Sequence, residues 1–402
     1  MKLKQEAKNA IIIGVMCSIA YLSVYIARNI LSAVTPQMIE SNAFGGDTQK
    51  FIGKVSSVYF VAYAIGQLIN GRIGDKIKGK YMIAFGLLMA GVTNFLFAKL
   101  SSSQTGALIV YAMTGFFLAM IYAPMMKIVA ENTQPIYATR CSLGFTFASF
   151  FGSPSAGMLA SVLAWQSVFV ASSVVLALMA VVCFIALTVF ERKGVVKYGQ
   201  YKPVDTKGGS LKVLFQHRIV KFALIALITG VVRTSVVFWM PTYIAQYLEF
   251  SSADAASIFT VATFIISLTA FISVFVYEKL GRNMDKTILL MFSCASLFFF
   301  SIYWVKLPVL NIILLVLAVM SSNGASAMLW SRCCPSLRDT GGVSGVTGFL
   351  DFLSYMAAAA SNSIFANAVA AIGWENLILV WMGLMIVGVI VALPYERIFK
   401  KN

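Results

Sequence analysis

Charged side chains are scarce in this chain of 402 residues. They make up 11% of it, where a soluble globular domain carries about 25%. Histidine occurs once, as His217 in a basic stretch. Histidine-based metal sites and catalytic triads therefore have almost no material, and no nucleophile, base and orienting group converge elsewhere. The chain is not expected to be an enzyme, and no cofactor or metal is expected. Nine prolines, and 29 glycines without a period, exclude collagen and Pro/Gly-rich disorder. The six cysteines (Cys17, Cys141, Cys183, Cys294, Cys333 and Cys334) lie mostly inside apolar runs, at no spacing that suits zinc or a disulfide scaffold. Acidic residues are few as well, 15 against 31 Lys and Arg, for a formal net charge of +16.

Hydrophobic residues make up 59% of the chain, and its mean hydropathy is +0.85. A soluble globule this apolar lacks the polar surface to stay in solution, which leaves a polytopic membrane protein in a lipid bilayer. About 20 apolar residues cross roughly 30 Å of hydrocarbon as a helix. Twelve runs qualify, at 10–36, 52–73, 81–100, 105–127, 140–163, 166–190, 219–245, 254–277, 286–305, 308–331, 342–370 and 374–394. Barrel strands need only about 10 residues and alternate in polarity, so these runs are helices. The first is expected not to be a cleaved signal peptide: it is long, holds Arg28, and further spans follow it.

Basic residues fix the orientation. Counting connections alternately, 25 of the 31 Lys and Arg fall on the side of the N-terminus. Four fall on the other side: Lys50, Lys54, Lys99 and Lys306. Both termini are therefore expected in the cytoplasm. The positive charge is an orientation signal scattered among short connections, so no nucleic-acid partner is needed to explain it. The longest polar stretch, residues 191–218, reads as a cytoplasmic linker. It divides the chain into an N-terminal six-helix half, 1–190, and a C-terminal one, 219–402.

The halves repeat each other. Arg28 and Pro36 in span one match Arg233 and Pro241 in span seven at an offset of 205. Asp75 and Lys76 match Glu278 and Lys279 at 203, and Trp165 matches Trp374 at 209. Two structural repeats are a common transporter construction, and a pseudo-two-fold axis places the two arginines across from each other. Arg28, Arg233 and Asp351 are charges inside spans, which are costly and usually functional. Two readings of each are open. The arginines either line a cavity or snorkel to a headgroup; Asp351 either serves the site or holds an arginine in place. Polar residues share faces with them: Tyr21, Tyr25, Arg28 and Ser32 on span one; Tyr59, Tyr63, Gln67 and Asn70 on span two; Thr347, Asp351 and Ser354 on span eleven. Such stripes face protein or water, either as a lined cavity or as helix-to-helix hydrogen bonding.

On these residues the chain resembles the major facilitator superfamily along its whole length. Gly71-Arg-Ile-Gly-Asp75-Lys76-Ile-Lys-Gly-Lys80 is similar to that superfamily's loop signature, and Glu278-Lys-Leu-Gly-Arg282 to its second copy. Within the superfamily the chain resembles the organophosphate:phosphate antiporters, through YLSVYIARNILSAVTP at Tyr21–Pro36 and VVRTSVVFWMPTY at Val231–Tyr243. The resemblance implies an all-α fold of twelve transmembrane helices in two pseudo-symmetric six-helix halves. It implies that Arg28 and Arg233 bind substrate phosphate, with Tyr21 and Tyr25 lining the same site. The chain departs from the glycerol-3-phosphate branch at Asn29, where that branch has a lysine, at Gln67, where it has a second-span lysine, and at Ser149, where it has a histidine. Asp351 is the local candidate to replace its acids. The loop residues Gly71, Asp75, Lys76, Glu278 and Arg282 are expected to form a cytoplasmic gate.

Two guanidinium forks from opposite halves suit a bidentate oxyanion. The expected function is secondary active transport of a small anionic metabolite, an organic phosphate ester foremost, by alternating access. Protons are a candidate coupling partner. The expected location is the plasma membrane, in bacteria the inner membrane, with the protein a multi-pass monomer. The alternatives are an efflux pump, a proton-coupled symporter for another organic solute, and a transporter-like membrane sensor. Two interior arginines oppose a pump for lipophilic cations.

Overall fold

The computed structural model of the protein describes residues 5–100, 103–199, 219–330 and 343–393. Among the described residues all regular structure is helical. The first half runs α1 (Gln5–Glu40), α2 (Thr48–Lys76), α3 (Gly79–Lys99), α4 (Gln104–Leu118), α5 (Tyr122–Asn132), α6 (Pro135–Val162) and α7 (Trp165–Arg192). The second runs α8 (Ile219–Gly230), a π turn (Val231–Val236), α9 (Val237–Gln246), α10 (Ser252–Ser267), α11 (Thr269–Lys279), α12 (Met284–Trp304), α13 (Pro308–Met328) and α14 (Val343–Ala392). Ten helical stretches among the described residues are long and apolar enough to cross a membrane. Beside these, α6 is 28 residues long, and α14 is two helices joined at a kink. Gly373 breaks α14 with φ 76°, a conformation that costs glycine little. The last span then opens on Trp374, where the sequence puts it.

Helix starts follow from local chemistry. The Asp47 side chain accepts from the Lys50 N–H at 3.1 Å, Ser103 from Gly106 at 3.2 Å, and Asn283 from Lys286 at 3.0 Å. Each satisfies an N–H that the first helical turn leaves open. Pro135 and Pro308 occupy first-turn positions, where the missing N–H costs nothing.

The chain packs as two compact units. The first comprises Met1–Val204 with Ser251–Phe264. In it α1 lies against α6, α3 against α7, and α2 against α4. Its core holds an aromatic stack, with Phe97 at 4.7 Å from Tyr111 and 4.8 Å from Phe169, ring centre to ring centre. The start of α10 belongs to this unit because Gly157 of α6 admits it closely; a Cβ there would stand 2.3 Å from the Thr260 hydroxyl. The second unit comprises Asp205–Phe250 with Ile265–Asn402, where α8 and α12 lie against α14. Trp381 is fully buried there, 5.8 Å from both Phe299 and Phe365. Large apolar side chains such as Leu178, Val261, Phe275 and Leu297 point outward from both units. In water they would drive aggregation, and in hydrocarbon they are at home.

Candidate functional site

In the first unit, Arg28 lies well inside α1 (Gln5–Glu40), about three turns before its C-terminal end. Its guanidinium carbon stands 5.4 Å from the centre of the Tyr63 ring, 5.6 Å from Phe60 and 5.7 Å from Tyr25. Tyr63 and Phe60 are buried, so the arginine is flanked by rings from α1 and α2. Tyr21 extends this wall. It packs edge-on against Tyr25 at 5.0 Å and lies 5.3 Å from Tyr122 and 5.7 Å from Phe145. Gly152 of α6 makes the arrangement fit, since a Cβ there would stand 2.3 Å from the Cβ of Tyr25.

The polar stripe of α2 divides. Gln67 is half-buried one turn beyond Tyr63. Tyr59 belongs to the aromatic core, 5.1 Å from Tyr111, and Asn70 donates to the Phe116 carbonyl at 3.3 Å. Asn70 therefore does helix-to-helix bonding. Asn29, beside Arg28, donates to the Tyr25 carbonyl at 2.7 Å within its own helix. Ser149 lies in α6, and its side chain is outside the described residues.

In the second unit, Arg233 sits in the π turn, with its guanidinium carbon 5.9 Å from the centre of the Tyr355 ring. Its Nη2 is buried and has no hydrogen-bond partner among the described residues. A buried donor of that kind is costly unless something accepts from it. Asp351 precedes Tyr355 by one turn and shares its face of α14. The tight approach recurs here with the glycine on the other helix: a Cβ on Gly230 would stand 2.5 Å from the Ser354 carbonyl oxygen. Phe60 and Tyr355 are the ring partners that the sequence does not single out. Extending the α14 stripe one turn past Asp351 finds Tyr355, whereas nothing in the periodicity marks Phe60.

Of the expected gate, Gly71, Asp75 and Lys76 fall in the last turns of α2, and their side chains are outside the described residues. Glu278 ends α11 and is exposed. Arg282 is exposed with φ 56°, and its N–H donates to the Tyr277 carbonyl at 2.9 Å. Just after α2, Lys78 and Lys80 donate to Glu191 at the end of α7, at 2.7 Å and 2.6 Å. The Glu191 carboxylate holds the Lys78 ammonium above its ordinary pKa. Of the linker, residues 200–218 lie outside the described residues.

A helical membrane protein built of two six-helix repeats, each with an arginine inside its first span, is the architecture of a solute carrier. The profile of the Major Facilitator Superfamily matches residues 17–361, and the chain belongs to that family. It is similar to the phosphoglycerate transporter protein of Salmonella typhimurium, 23% identical over 91% of this chain and 84% of that one. It is also similar to the glucose-6-phosphate exchanger SLC37A2 of Bos taurus, 20% identical over 82% of this chain and 77% of that one. A shorter likeness, 26% identical over 25% of this chain and 22% of the relative, is to the membrane sensor protein UhpC of Salmonella typhimurium. Among solved structures, a bacterial homolog of the human lysosomal transporter Spinster, inward-facing and unoccupied, superposes with a TM-score of 0.78 at 12% identity, covering 100% and 99% of the two chains. The D-xylose-proton symporter superposes at 0.75 with 12% identity, covering 95% and 96%. These neighbours are transporters, not enzymes.

Proposed function

We propose that this protein is a secondary active transporter of a small anionic metabolite, most specifically an organic phosphate ester. Arg28 and Arg233, one from each half, bind the anion, and the halves move in alternating access. The observation that carries this reading is the pair itself: two arginines inside spans at matched positions, each over an aromatic ring, one with a buried Nη2 that finds no acceptor among the described residues. A phosphate oxygen supplies an acceptor, and a guanidinium offers it a planar fork. Tyr21, Tyr25, Gln67, Ser149 and Asp351 complete the site. Gly71, Asp75, Lys76, Glu278 and Arg282 act at the cytoplasmic gate. The phosphoglycerate and glucose-6-phosphate relatives support phosphate esters as the substrate class. The protein works as a monomer in the plasma membrane, in bacteria the inner membrane, with both termini cytoplasmic.

The deciding experiment is counterflow in proteoliposomes with a panel of phosphate esters, inorganic phosphate, carboxylates and cationic dyes. Exchange of phosphate esters is expected. Exchange of cationic dyes alone would instead make the chain an efflux carrier. The sensor-like relative supports one second reading, a receptor that binds the ester without moving it. That reading requires ester binding by the purified protein with no counterflow of any ester.

A further inference from the structure

Arg28 and Arg233 match in sequence but not in backbone. Arg28 stands in the unbroken helix α1, while Arg233 stands in the six-residue π turn that joins α8 to α9. Such turns bond each N–H five residues back, and they recur at functional sites. Composition explains why this helix slips here. Five of the seven residues 231–237 are β-branched (Val231, Val232, Thr234, Val236 and Val237), against two of the seven at 26–32. β-branched side chains crowd the preceding turn and weaken the α ladder.

Contacts with α14 hold the slipped register at two points. Gly230 lies against the Ser354 carbonyl. Five residues on, the Ser235 hydroxyl lies 2.5 Å from the Ser361 hydroxyl and 3.1 Å from the Ala358 carbonyl oxygen. Ser354, Ala358 and Ser361 follow i, i+4, i+7, one face of α14. Residues five apart on an α-helix are turned about 140° from each other, so Gly230 and Ser235 could not both meet that face. Bonding from i to i+5 winds the chain less tightly, so a smaller angle separates the two and both can reach that face. The π turn is thus the backbone that satisfies both contacts at once, and Arg233 lies between them.

We propose that this turn aims Arg233, and that Ser235 and Ser361 are positioning residues for anion binding. They form no part of the anion's own shell. Their hydroxyl pair pins the C-terminal end of the turn to α14. Without it the segment relaxes toward α geometry, which rotates Arg233 relative to α9 by up to about 100°. The inference rests on the reading of Arg233 as an anion ligand.

The test uses the purified full chain and titrates inorganic phosphate calorimetrically. Ser235→Ala and Ser361→Ala should each raise the Kd about tenfold, with the melting temperature of the phosphate-free protein kept. The same substitutions made in an Arg233→Ala background should leave its weaker binding unchanged, because they act through that arginine. Ser361→Thr, which keeps the hydroxyl, should bind near the wild-type level. Wild-type affinity in both serine variants, with binding lost in Arg233→Ala, would overturn the positioning role and leave the anion ligand standing. So would an equal serine effect in the Arg233→Ala background. Wild-type affinity in Arg233→Ala would overturn the ligand assignment and this inference with it.

Discussion

Arg28 and Arg233 each face rings, and that sets what a lysine in either place would do. A lysine keeps the charge and much of the attraction to Tyr63 or Tyr355, worth about 0.5–2 kcal/mol, but loses the planar fork. Arg28→Lys and Arg233→Lys should therefore insert and melt like the wild type and fail to transport. Uptake by reconstituted vesicles, with the melting temperature measured on the same preparation, checks both parts. Transport at the wild-type rate in both variants would remove the shared anion site. The arginines and Tyr21 and Tyr25 were readable from the chain because a polar stripe on an apolar helix stands out. The same stripe leaves Asn70 open between a cavity and a helix contact, and its bond to the Phe116 carbonyl is the helix contact. Periodicity reports which face a residue occupies, and it does not say whether protein or water lies opposite.

A carboxylate at a helix C-terminus opposes the helix dipole, so Glu191 at the end of α7 needs cations. Lys78 and Lys80 supply them and tie the α2–α3 connection, just past Asp75 and Lys76 at the end of α2, to α7. The Lys80 side chain is only 8% exposed. Glu191→Gln leaves that ammonium buried without its counter-charge and should cost about 1–3 kcal/mol. Adding Lys80→Met should recover most of the loss, since an apolar group needs no partner there. Thermal melts of the single and double variants decide it; an unrecovered double variant would mean Glu191 acts through something else. The pH dependence has a definite sign. Glu191 raises the Lys78 pKa in the folded state, so this contribution is whole below lysine's ordinary value and is lost only as pH climbs past it. The gap between wild type and Glu191→Gln should accordingly hold through neutral pH and narrow on the alkaline side. At this scale the sequence shows span lengths and breaks well, the Gly373 break included. It does not show the π turn, because an apolar run stays apolar when its backbone slips by one residue; only the clustered β-branched residues hint at it.

For the molecule as a whole, the repeat is legible because Arg-x7-Pro and the acidic loop motifs recur at nearly one offset. Packing across repeats follows no offset, and the grouping of Ser251–Phe264 with the first unit emerges from contacts such as the close approach at Gly157 and the Phe151–Phe264 ring pair. The balance of interior charge, two arginines against Asp351, carries two expectations about the working carrier. Phosphate esters should stabilise the purified protein by RT ln(1 + [L]/Kd), about 2.7 kcal/mol at a hundredfold excess over Kd, and cationic dyes should not. A thermal-shift screen reads this directly, and stabilisation by dyes alone reverses the ranking of anion carrier over cation pump. The second expectation concerns coupling. With Asp351 ionised the three groups carry a formal +1; protonated, they carry +2 and match a phosphate-ester dianion. An empty carrier that holds two interior arginines and no bound anion should reorient poorly, because net charge within the membrane is costly. On the proposed reading, ionised Asp351 should lower that cost and let the empty carrier return without a counter-anion, with a proton then accompanying each ester inward. Asp351→Asn keeps the shape and removes the titration. Exchange of one bound ester for another should then survive, while accumulation driven by a pH gradient fails. Equal loss of both activities in that variant would instead assign Asp351 to holding an arginine in place.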